Sequence, residues 1–427
     1  MNILLCGANG FIGRHLAAAL AARGHRVLRG VHSADGLDDA VAIDYTRDHS
    51  PEIWRPRLEG VDVVINAVGI LREVGGATFG ALHARAPIAL FEAASQAGVR
   101  RIVQISALGA DDKAQSRYHR SKKQADDYLA TLPVDWVVVQ PSLVYGPDGA
   151  SARLFETLAS LPFVPLPAGG RQAIQPVHID DLVEALVRLV EHEGPLRGVL
   201  PAVGAEAITF RDWLMSLRAQ LGLPRTLGLP IPHWMMRSAA ALGERLPGLL
   251  DRETLAMLER GNTASCETMT ALLGRLPRDA SRFIAADTAR ERALTARSNW
   301  MLPLLRFSVA LVWILTGLVS LGLYPVEASY ALLAQVGITG AAAPVALYGA
   351  ALLDLAFGVG VYALEPPRRR WLWRAQMLLI LAYSVIIALA LPEYWLHPFG
   401  PLLKNVPLFA VILLLHEFED VPRRWTT

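Results

Sequence analysis

The amino-acid sequence predicts an α/β protein, a doubly wound parallel sheet with a small second subdomain, followed by an all-α bundle of four transmembrane helices. Two patterns predict this division. Apolar runs of strand length alternate with helical stretches through most of the first 285 of the 427 residues, which is typical of a parallel sheet wound with helices. After about residue 300, long uncharged apolar stretches replace that alternation. We therefore predict a sheet domain over 1–285, a linker over 286–300 and a membrane domain over 301–420.

The first strand and the turn after it give the earliest functional prediction. An apolar run at 2–6 is followed by three glycines spaced three apart and by an Ala/Leu-rich helix over 14–23. In such a unit the first glycine permits the tight turn, the second lets the backbone approach a pyrophosphate, and the third lets the helix pack on the strand. The helix N-terminus favours the charge of the phosphates. The residues predicted to hold a dinucleotide here are Gly7, Asn9, Gly10, Phe11, Ile12 and Gly13.

The end of the second predicted strand, 25–31, bears on which dinucleotide is preferred. An acidic residue there binds the ribose 2′-hydroxyl of NAD, whereas basic residues suit the 2′-phosphate of NADP. Arg29 and His32 stand at this point, and Arg14 follows the last glycine of the turn. We therefore expect NADP(H) to be favoured over NAD(H), although Asp35 is near enough to compete. Asp44 ends a third apolar run, where its carboxylate either reaches the adenine amine or caps a turn.

Three further strands are predicted at 61–69, 101–106 and 134–140, from continuous β-branched runs of the kind buried on both faces. Parallel strands end at one edge of a sheet, and ligands bind in the crevice at that edge. We expect the cofactor to contact Ala67, Gly69 and Pro141 there, and Ser106 to hold a substrate carbonyl.

Tyr118 and Lys122 are four residues apart in a predicted helix, so both side chains project from one helical face. A phenol with a pKa near 10 is a poor acid at neutral pH, and a neighbouring ammonium would lower that pKa. We therefore predict Tyr118 as general acid/base and Lys122 as its activator and as a ligand of the nicotinamide ribose.

The order of these motifs resembles the short-chain dehydrogenase/reductase superfamily, in its extended and atypical branch. Segments 106–111 and 118–122, with the later 140–147 and 175–181, are similar to the nucleotide-binding accessory subunit of respiratory complex I and its bacterial relatives. The resemblance covers roughly residues 1–285 and implies a Rossmann-type fold that binds NAD(P). It implies catalysis less directly, since many atypical members bind a nucleotide without known turnover. Gln140 departs from the pattern, because relatives often carry Arg before the Pro-Ser.

The substrate subdomain is predicted mainly from 141–177 and 195–285, because the chain leaves the sheet above the cofactor after the sixth strand. His178 and Asp180 precede an amphipathic helix over 182–191, so capping explains them better than catalysis. Cys6 and Cys266 lie far apart and form no metal-binding pattern, so no metal site is predicted.

Four apolar stretches follow the linker, and we predict spans at about 304–324, 343–364, 372–391 and 402–416. Aromatic residues lie at their ends, as an interfacial belt requires. The region resembles DoxX-like membrane families. Asp354 interrupts the second span and either marks a functional site or only packs helices.

Basic residues predict the orientation of the spans. Arg368, Arg369, Arg370 and Arg374 lie between the second and third spans, and Arg423 and Arg424 follow the fourth. The positive-inside rule then puts the nucleotide domain and both termini in the cytoplasm, with the spans in a cell inner membrane.

Together these features predict a membrane-tethered NAD(P)H-dependent oxidoreductase that acts on a lipophilic carbonyl or quinone-like substrate. The expected surroundings are a lipid bilayer and a possible membrane-protein partner. Nucleic acid is not expected as a partner, because the net charge is only +2. Two alternatives stay open: a non-catalytic nucleotide-binding assembly or sensor module, and an epimerase or dehydratase of the extended type.

Overall fold

The computed structural model describes residues 1–33, 39–236, 238, 252–396, 400 and 402–420. The chain divides into two compact units, Met1–Ala296 and Arg297–Thr427. Each unit is described by itself. Asp35, Arg423 and Arg424, which the sequence singled out, lie outside the described residues.

The first unit is built on a parallel sheet of seven strands in the order β11-β6-β5-β4-β1-β2-β3. The strands of the unit are β1 Asn2–Cys6, β2 Arg26–Val31, β3 Ala40–Ala42, β4 Val63–Asn66, β5 Arg101–Ile105, β6 Asp135–Pro141, β7 Val144–Tyr145, β8 Val164–Pro167, β9 Ala173–Ile174, β10 Val177–His178, β11 Arg197–Ala202, β12 Ile208–Thr209 and β13 Gly228–Ile231. The short strands outside the sheet pair as β10 with β7, β12 with β9 and β13 with β8.

Helices cover both faces of the sheet because alternate side chains of its strands point to opposite faces. The helices of this unit are α1 Phe11–Ala22, α2 Pro51–Trp54, α3 Ala86–Gln96, α4 Arg117–Ala130, α5 Ala150–Ser160, α6 Ile179–Glu191, α7 Phe210–Gln220, α8 Arg252–Arg260 and α9 Glu267–Leu273. Ile3 and Leu5 pack with α1 and α6 in one buried cluster, whereas Leu4 packs with α3 and α4 in the other. The predicted fold class is therefore confirmed for this unit.

Two sequence interpretations change. Arg197–Ala202, placed by the sequence in the substrate subdomain, is instead the seventh strand of the sheet and pairs parallel with β6. This strand lies at the sheet edge, and its residues alternate between exposed and buried. In the sequence it therefore resembled the short Leu- and Pro-containing patterns that follow it. The helical pattern between the fourth and fifth strands predicts a helix over 81–97, and this helix begins as a π-helical turn, Gly80–Arg85, which continues into α3.

His178 caps α6, since its side chain accepts a hydrogen bond from the Asp180 backbone N–H. The capping interpretation of this pair is confirmed. The helix it starts has a fully buried apolar face that packs on the sheet beside α1.

The second unit is helical. Its helices are α10 Ala289–Leu318, which begins before the boundary between the units, α11 Val326–Gln335, α12 Ala342–Ala363, α13 Pro366–Ala390 and α14 Asn405–Glu417. In the described part of the chain three helical stretches are long and apolar enough to cross a membrane: Ala289–Leu323, Ala342–Ala363 and Pro366–Ala390. The fourth predicted span falls on α14, whose 13 residues are fewer than the roughly 20 that a bilayer requires.

The close packing of α1 on β1 depends on Gly13, because a Cβ there would lie 2.1 Å from the carbonyl oxygen of Gly7. We expect Gly13→Ala to destabilise the first unit by roughly 1–3 kcal/mol or more, since overpacking shifts backbone. Gly198→Ala is the control, because a Cβ at that strand position meets no atom within 4 Å. Thermal unfolding of the purified variants measures the difference, and equal midpoints would show that the turn is not constrained in this way.

Candidate functional site

The glycine turn after β1 brings three backbone segments into contact. Gly7 has φ +80°, and a Cβ there would lie 3.0 Å from the backbone of Ala67, in the turn after β4. Gly13 packs against Gly7, as described above. The strand order reverses between β1 and β4, so this contact lies at the switch point, where open parallel sheets bind ligands.

The start of α1 has the properties of an anion site. Gly10 is its N-cap, no side chain caps it, and its first turn contains no acidic residue. Asn9 and Gly10 are exposed, and Phe11 and Ile12 are half-buried. A Cβ at Gly10 would meet only the oxygen of Gly7, at 3.1 Å, so the approach to the backbone is open. These features fit a dinucleotide whose phosphates lie at the helix N-terminus.

Arg14 is engaged by a neighbouring loop. Its guanidinium donates from Nε to Asp148 Oδ2 at 2.8 Å, and the His15 ring contacts the same carboxylate at 3.0 Å. The ring of Phe11 fills the space beside Gly149, where a Cβ would approach it to 3.0 Å. The loop after β7 is therefore fastened to the first turns of α1, and Arg14 holds it there.

Arg29 and His32, which are predicted to distinguish NADP from NAD, lie on the β1 side of the switch point. Arg29 is in β2, and His32 directly follows that strand. Arg29 donates to Asp39 at 3.0 Å, and His32 is exposed. The Asp44 carboxylate accepts from the backbone N–H of Thr46 at 2.9 Å and from its hydroxyl at 2.6 Å, which lowers the pKa of Asp44. Asp44 thus closes a turn, and its contact with the adenine amine stays a prediction.

Lys122 is buried against the ends of two sheet strands. Its ammonium donates to the carbonyl oxygens of Val68 at 3.0 Å and of Ile105 at 3.1 Å. An ammonium has three N–H donors, so one is left for a ligand. A Cβ at Gly69 would lie 3.2 Å from this nitrogen, so a side chain at that position would crowd the ammonium. Burial lowers the pKa of Lys122 to about 8.

Tyr118 projects from the first turn of α4 into a ring cluster. Its ring meets those of Phe79, His83 and His119 edge to face, with centroids 5.9, 5.3 and 5.3 Å away. Burial, and then the charge of Asp126, raise the pKa of Tyr118 to about 12. The expectation that Lys122 lowers this pKa is not met in the structure described here, because burial and the charge of Asp126 both raise the pKa and Lys122 is not among the groups that shift it.

The π-helical turn Gly80–Arg85 positions His83, which is fully buried. Its Nε2 accepts from the backbone N–H of Ile70 at 3.0 Å, and its Nδ1 lies 3.0 Å from the hydroxyl of Ser121. That hydroxyl donates to the carbonyl of Tyr118, so the imidazole proton is assigned to Nδ1. Burial, and then the charge of Lys122, lower the pKa of His83 to about 2, which keeps the ring neutral.

Ser106 lies at the end of β5 and donates its hydroxyl hydrogen to Asp126, a short contact within α4's buried face. Burial raises the pKa of Asp126 to about 6, although hydrogen bonds from Ser106 and Gln104 and the charge of Lys122 oppose the shift. Ser106 is thus committed to a carboxylate when Asp126 is ionised. Protonation of Asp126 frees the hydroxyl hydrogen for a carbonyl ligand.

A buried polar chain continues from Asp126 beneath the sheet edge. Gln104 donates to Asp126 at 3.3 Å and accepts from Asn66 at 2.7 Å, and Asn66 accepts from the Tyr45 hydroxyl at 2.9 Å. Asn66 also accepts from the backbone N–H of Val68, whose carbonyl binds Lys122. The chain fixes the carboxyl ends of β4 and β5 relative to α4.

The last predicted contact, Pro141, is buried at the end of β6, and its carbonyl accepts from the Leu108 N–H at 2.9 Å. Gln140, where relatives often carry Arg, donates to the carbonyl of Ala110 at 3.2 Å. These two bonds hold the loop after Ser106 against β6.

The structure therefore joins Gly7, Ala67, Gly69, Ser106 and Lys122 at one sheet edge through the contacts given above. Sequence reasoning missed Asp126 and His83. Asp126 had a detectable signal. It follows Lys122 by one helical turn and lies on the same helical face as Ala125 and Leu129.

Two family matches agree with this geometry. Residues 7–159 match the family described as NAD(P)H-binding, and residues 310–413 match the DoxX-like family. The chain thus combines an NAD(P)-binding domain of Rossmann type with a DoxX-like domain.

Individual relatives match part of the chain. A ceramide reductase of Caulobacter vibrioides is 27% identical over 238 residues, which are 54% of this chain and 74% of that protein. Subunit 9 of the mitochondrial NADH dehydrogenase (ubiquinone) 1 alpha subcomplex of Arabidopsis thaliana is 24% identical, over 62% of this chain and 70% of its own. A nucleoside-diphosphate-sugar epimerase from Staphylococcus aureus has the same fold, with a TM-score of 0.55 at 19% identity over 66% of this chain and 99% of the epimerase.

The raised pKa of Asp126 predicts a pH-dependent stability. The folded protein binds this proton more tightly than the unfolded chain does. The contribution is therefore complete below 3.8, the ordinary pKa of an aspartate, and is lost as pH rises through about 6. Between those values the wild type should lose roughly 2–3 kcal/mol relative to Asp126→Asn.

Unfolding midpoints of both proteins between about pH 4 and 7.5 measure this loss. Asp127→Asn is the control, since that neighbouring carboxylate is exposed. Parallel curves for the wild type and Asp126→Asn would contradict the burial of an ionisable carboxyl at this position.

Proposed function

We propose that the protein is a membrane-tethered, NAD(P)H-dependent oxidoreductase that reduces a lipophilic carbonyl or quinone-like substrate. The observation that carries the proposal is the position of Lys122, whose ammonium lies at the switch point with one donor to spare. Tyr118 precedes it by one turn of α4, and Ser106 ends the neighbouring strand.

The chain's own residues would bind the cofactor as follows. The N-terminus of α1 would hold the phosphates, Lys122 the nicotinamide ribose, and the exposed backbone at Gly69 would lie along the ribose. When bound, the reduced nicotinamide supplies a hydride. The protein orients the reactants, supplies the proton and excludes water.

The protonation of Tyr118 favours reduction over oxidation. A phenol with a pKa of about 12 is fully protonated at neutral pH, so it is ready to donate and is a poor base. An alkoxide, formed when a carbonyl accepts hydride, is a stronger base than a phenolate and takes this proton readily. We therefore assign Tyr118 as the proton donor.

Asp126 would act on the substrate through Ser106. While the Asp126 carboxylate accepts the hydrogen bond from the serine hydroxyl, Ser106 can present only its oxygen lone pairs to the substrate. These lone pairs repel a carbonyl oxygen. Once Asp126 is protonated, it can donate to the serine, whose hydrogen then turns to the carbonyl. Asp126 is thus a positioning residue, and carbonyl binding should strengthen as pH falls through about 6.

Two observations support a lipophilic substrate. The second unit has three helical stretches apolar and long enough to cross a membrane. A relative of this chain is named a ceramide reductase, and ceramide is a lipid. The exposed Arg368 and Arg374 at the start of α13 support a cytoplasmic position for that helix end, and with it for the nucleotide domain.

A preference for NADP(H) is supported by Arg29 and His32 at the end of β2. Arg29 is paired with Asp39, so binding of a 2′-phosphate requires the guanidinium to exchange one anionic partner for another. Such an exchange keeps the charge-assisted hydrogen bond and is compatible with binding.

A non-catalytic nucleotide-binding module is the second candidate. The commitment of Ser106 to Asp126 and the similarity to a subunit of NADH dehydrogenase favour it. The epimerase alternative is supported by the fold and by a 26% identical protein of Mycobacterium leprae that is named an epimerase family protein.

The enzyme proposal predicts that Tyr118→Phe leaves the affinity for NADPH nearly unchanged and lowers turnover by about 10²–10⁴-fold, the usual contribution of a general acid. Tyr128→Phe, which removes a hydroxyl further along the same helix, should retain activity. NADPH oxidation by the detergent-solubilised full chain, with a long-chain aldehyde or a quinone, is the assay. Full activity of Tyr118→Phe would favour a different donor, and absence of turnover in the wild type would favour the binding module.

For the cofactor, Arg29→Ala and His32→Ala should each weaken NADPH binding by about tenfold, the effect of losing roughly 1.4 kcal/mol, and leave NADH binding unchanged. Arg26→Ala, at the other end of the same strand, serves as control. Calorimetric titration of both dinucleotides measures the effect, and tighter binding of NADH than of NADPH by the wild type would overturn the assignment.

A further inference from the structure

Three helices of the second unit bury polar side chains in their shared interior. Trp313 of α10 and Asp354 of α12 are each 6% exposed, and Gln376 of α13 is fully buried. The outward faces of the same helices are apolar: Leu352 is 60% exposed and Leu389 is 80% exposed. Polar groups inside and apolar groups outside are the arrangement expected of a bundle with an internal site.

Phe357 of α12 links the three polar residues. The ring of Trp313 meets the ring of Phe357 edge to face at 5.2 Å, and Gln376 Nε2 donates to the Phe357 carbonyl at 3.4 Å. Asp354 precedes Phe357 by three residues and therefore lies on the same face of α12, about one turn away. Trp313 and Gln376 thus both contact Phe357, and Asp354 lies about one helical turn from that residue on the same face of α12.

Two of these three helices, α10 and α12, are in close contact at two glycines. A Cβ at Gly317 would lie 2.8 Å from the Ala351 carbonyl oxygen, and a Cβ at Gly358 would lie 2.5 Å from Ile314. Small residues of this kind bring transmembrane helices into backbone contact. The polar cluster, which we call the Asp354 cluster (Trp313, Asp354 and Gln376), is therefore a fixed feature of the bundle.

The Asp354 cluster leaves three polar atoms unsatisfied among the described residues: Trp313 Nε1, Asp354 Oδ1 and Gln376 Oε1. The first is a donor only, and the amide oxygen is an acceptor only. An unpaired polar group in an apolar interior is costly, and hydrocarbon offers no replacement partner. Three such atoms in one place indicate a ligand that both donates and accepts hydrogen bonds.

We propose that the Asp354 cluster binds the hydroxyl group of a lipophilic molecule that enters from the bilayer. A hydroxyl donates one hydrogen bond and accepts up to two, so it can pair with an acceptor oxygen of Asp354 or Gln376 and with the indole N–H of Trp313. A ketone, an aldehyde or an ether only accepts, so it satisfies Trp313 alone. The carboxyl group disfavours phosphates and other anions, which restricts the ligand to neutral alcohols, phenols and quinols.

The inference goes beyond the proposed reductase and stands without it, because all three residues belong to the second unit. The two are chemically compatible, since reduction of a lipophilic carbonyl yields a lipophilic hydroxyl compound. The test below contains no nicotinamide nucleotide. Its failure is therefore distinguishable from a failure of the reductase proposal.

The experiment uses the full chain in lipid nanodiscs and a long-chain primary alcohol that carries a diazirine. After illumination, peptide mapping by mass spectrometry should find saturable labelling of α10, α12 and α13 near Trp313 and Asp354. An unlabelled alcohol of the same length should compete, and its methyl ether, which cannot donate, should compete at least about tenfold more weakly.

Variants separate recognition from packing. Trp313→Phe and Asp354→Leu should each reduce saturable labelling about tenfold, whereas Asp354→Asn, which keeps an acceptor oxygen, should retain most of it. Leu352→Ala, on the lipid-facing side of α12, is the control and should label like the wild type. Equal competition by alcohol and ether, or undiminished labelling of both Trp313→Phe and Asp354→Leu, would overturn the proposal and leave water as the partner of these atoms.

Discussion

The first unit depends on the absence of a side chain where β1 turns into α1. Gly7 takes a left-handed conformation against Ala67, and Gly13 lies against the carbonyl of Gly7 with no room for a Cβ. These contacts bring the start of α1, the end of β1 and the end of β4 to one point. Because strand order reverses there, the helix N-terminus faces the crevice in which parallel sheets bind ligands.

A series of hydrogen bonds between buried polar side chains connects this point to the candidate catalytic residues. Asn66 and Gln104 lie in two mostly apolar strands, and they hold Asp126 beside Ser106. Lys122 is bound to the carbonyls at the ends of the same strands. Burial decides the charge states, since it raises the pKa of Asp126 and lowers that of Lys122. A site with a protonated phenol and a titratable carboxyl at its edge is suited to supplying protons.

Much of this was predictable from the sequence, and the limits have physical causes. Alternating apolar runs and the spacing of the glycines predicted six of the seven strands, because local pattern and burial agree there. The strand Arg197–Ala202 was missed because an edge strand has one exposed face and a weak signal. Charge states could not be predicted, since burial of Tyr118 and the partner of Ser106 depend on residues distant in sequence. The same holds for the Asp354 cluster, whose members come from three helices.

In the proposed reaction, a nicotinamide transfers a hydride to a lipophilic carbonyl at the membrane. The most direct measurement gives the full chain NADPH deuterated at the transferable position, together with a membrane lipid extract, and follows deuterium by mass spectrometry. If the substrate is a carbonyl, we expect deuterium to appear on carbon in a lipid alcohol. If it is a quinone, we expect a quinone of the extract to be reduced as labelled NADPH is consumed. A protein that binds the labelled NADPH and leaves both the cofactor and the lipids unchanged would contradict it.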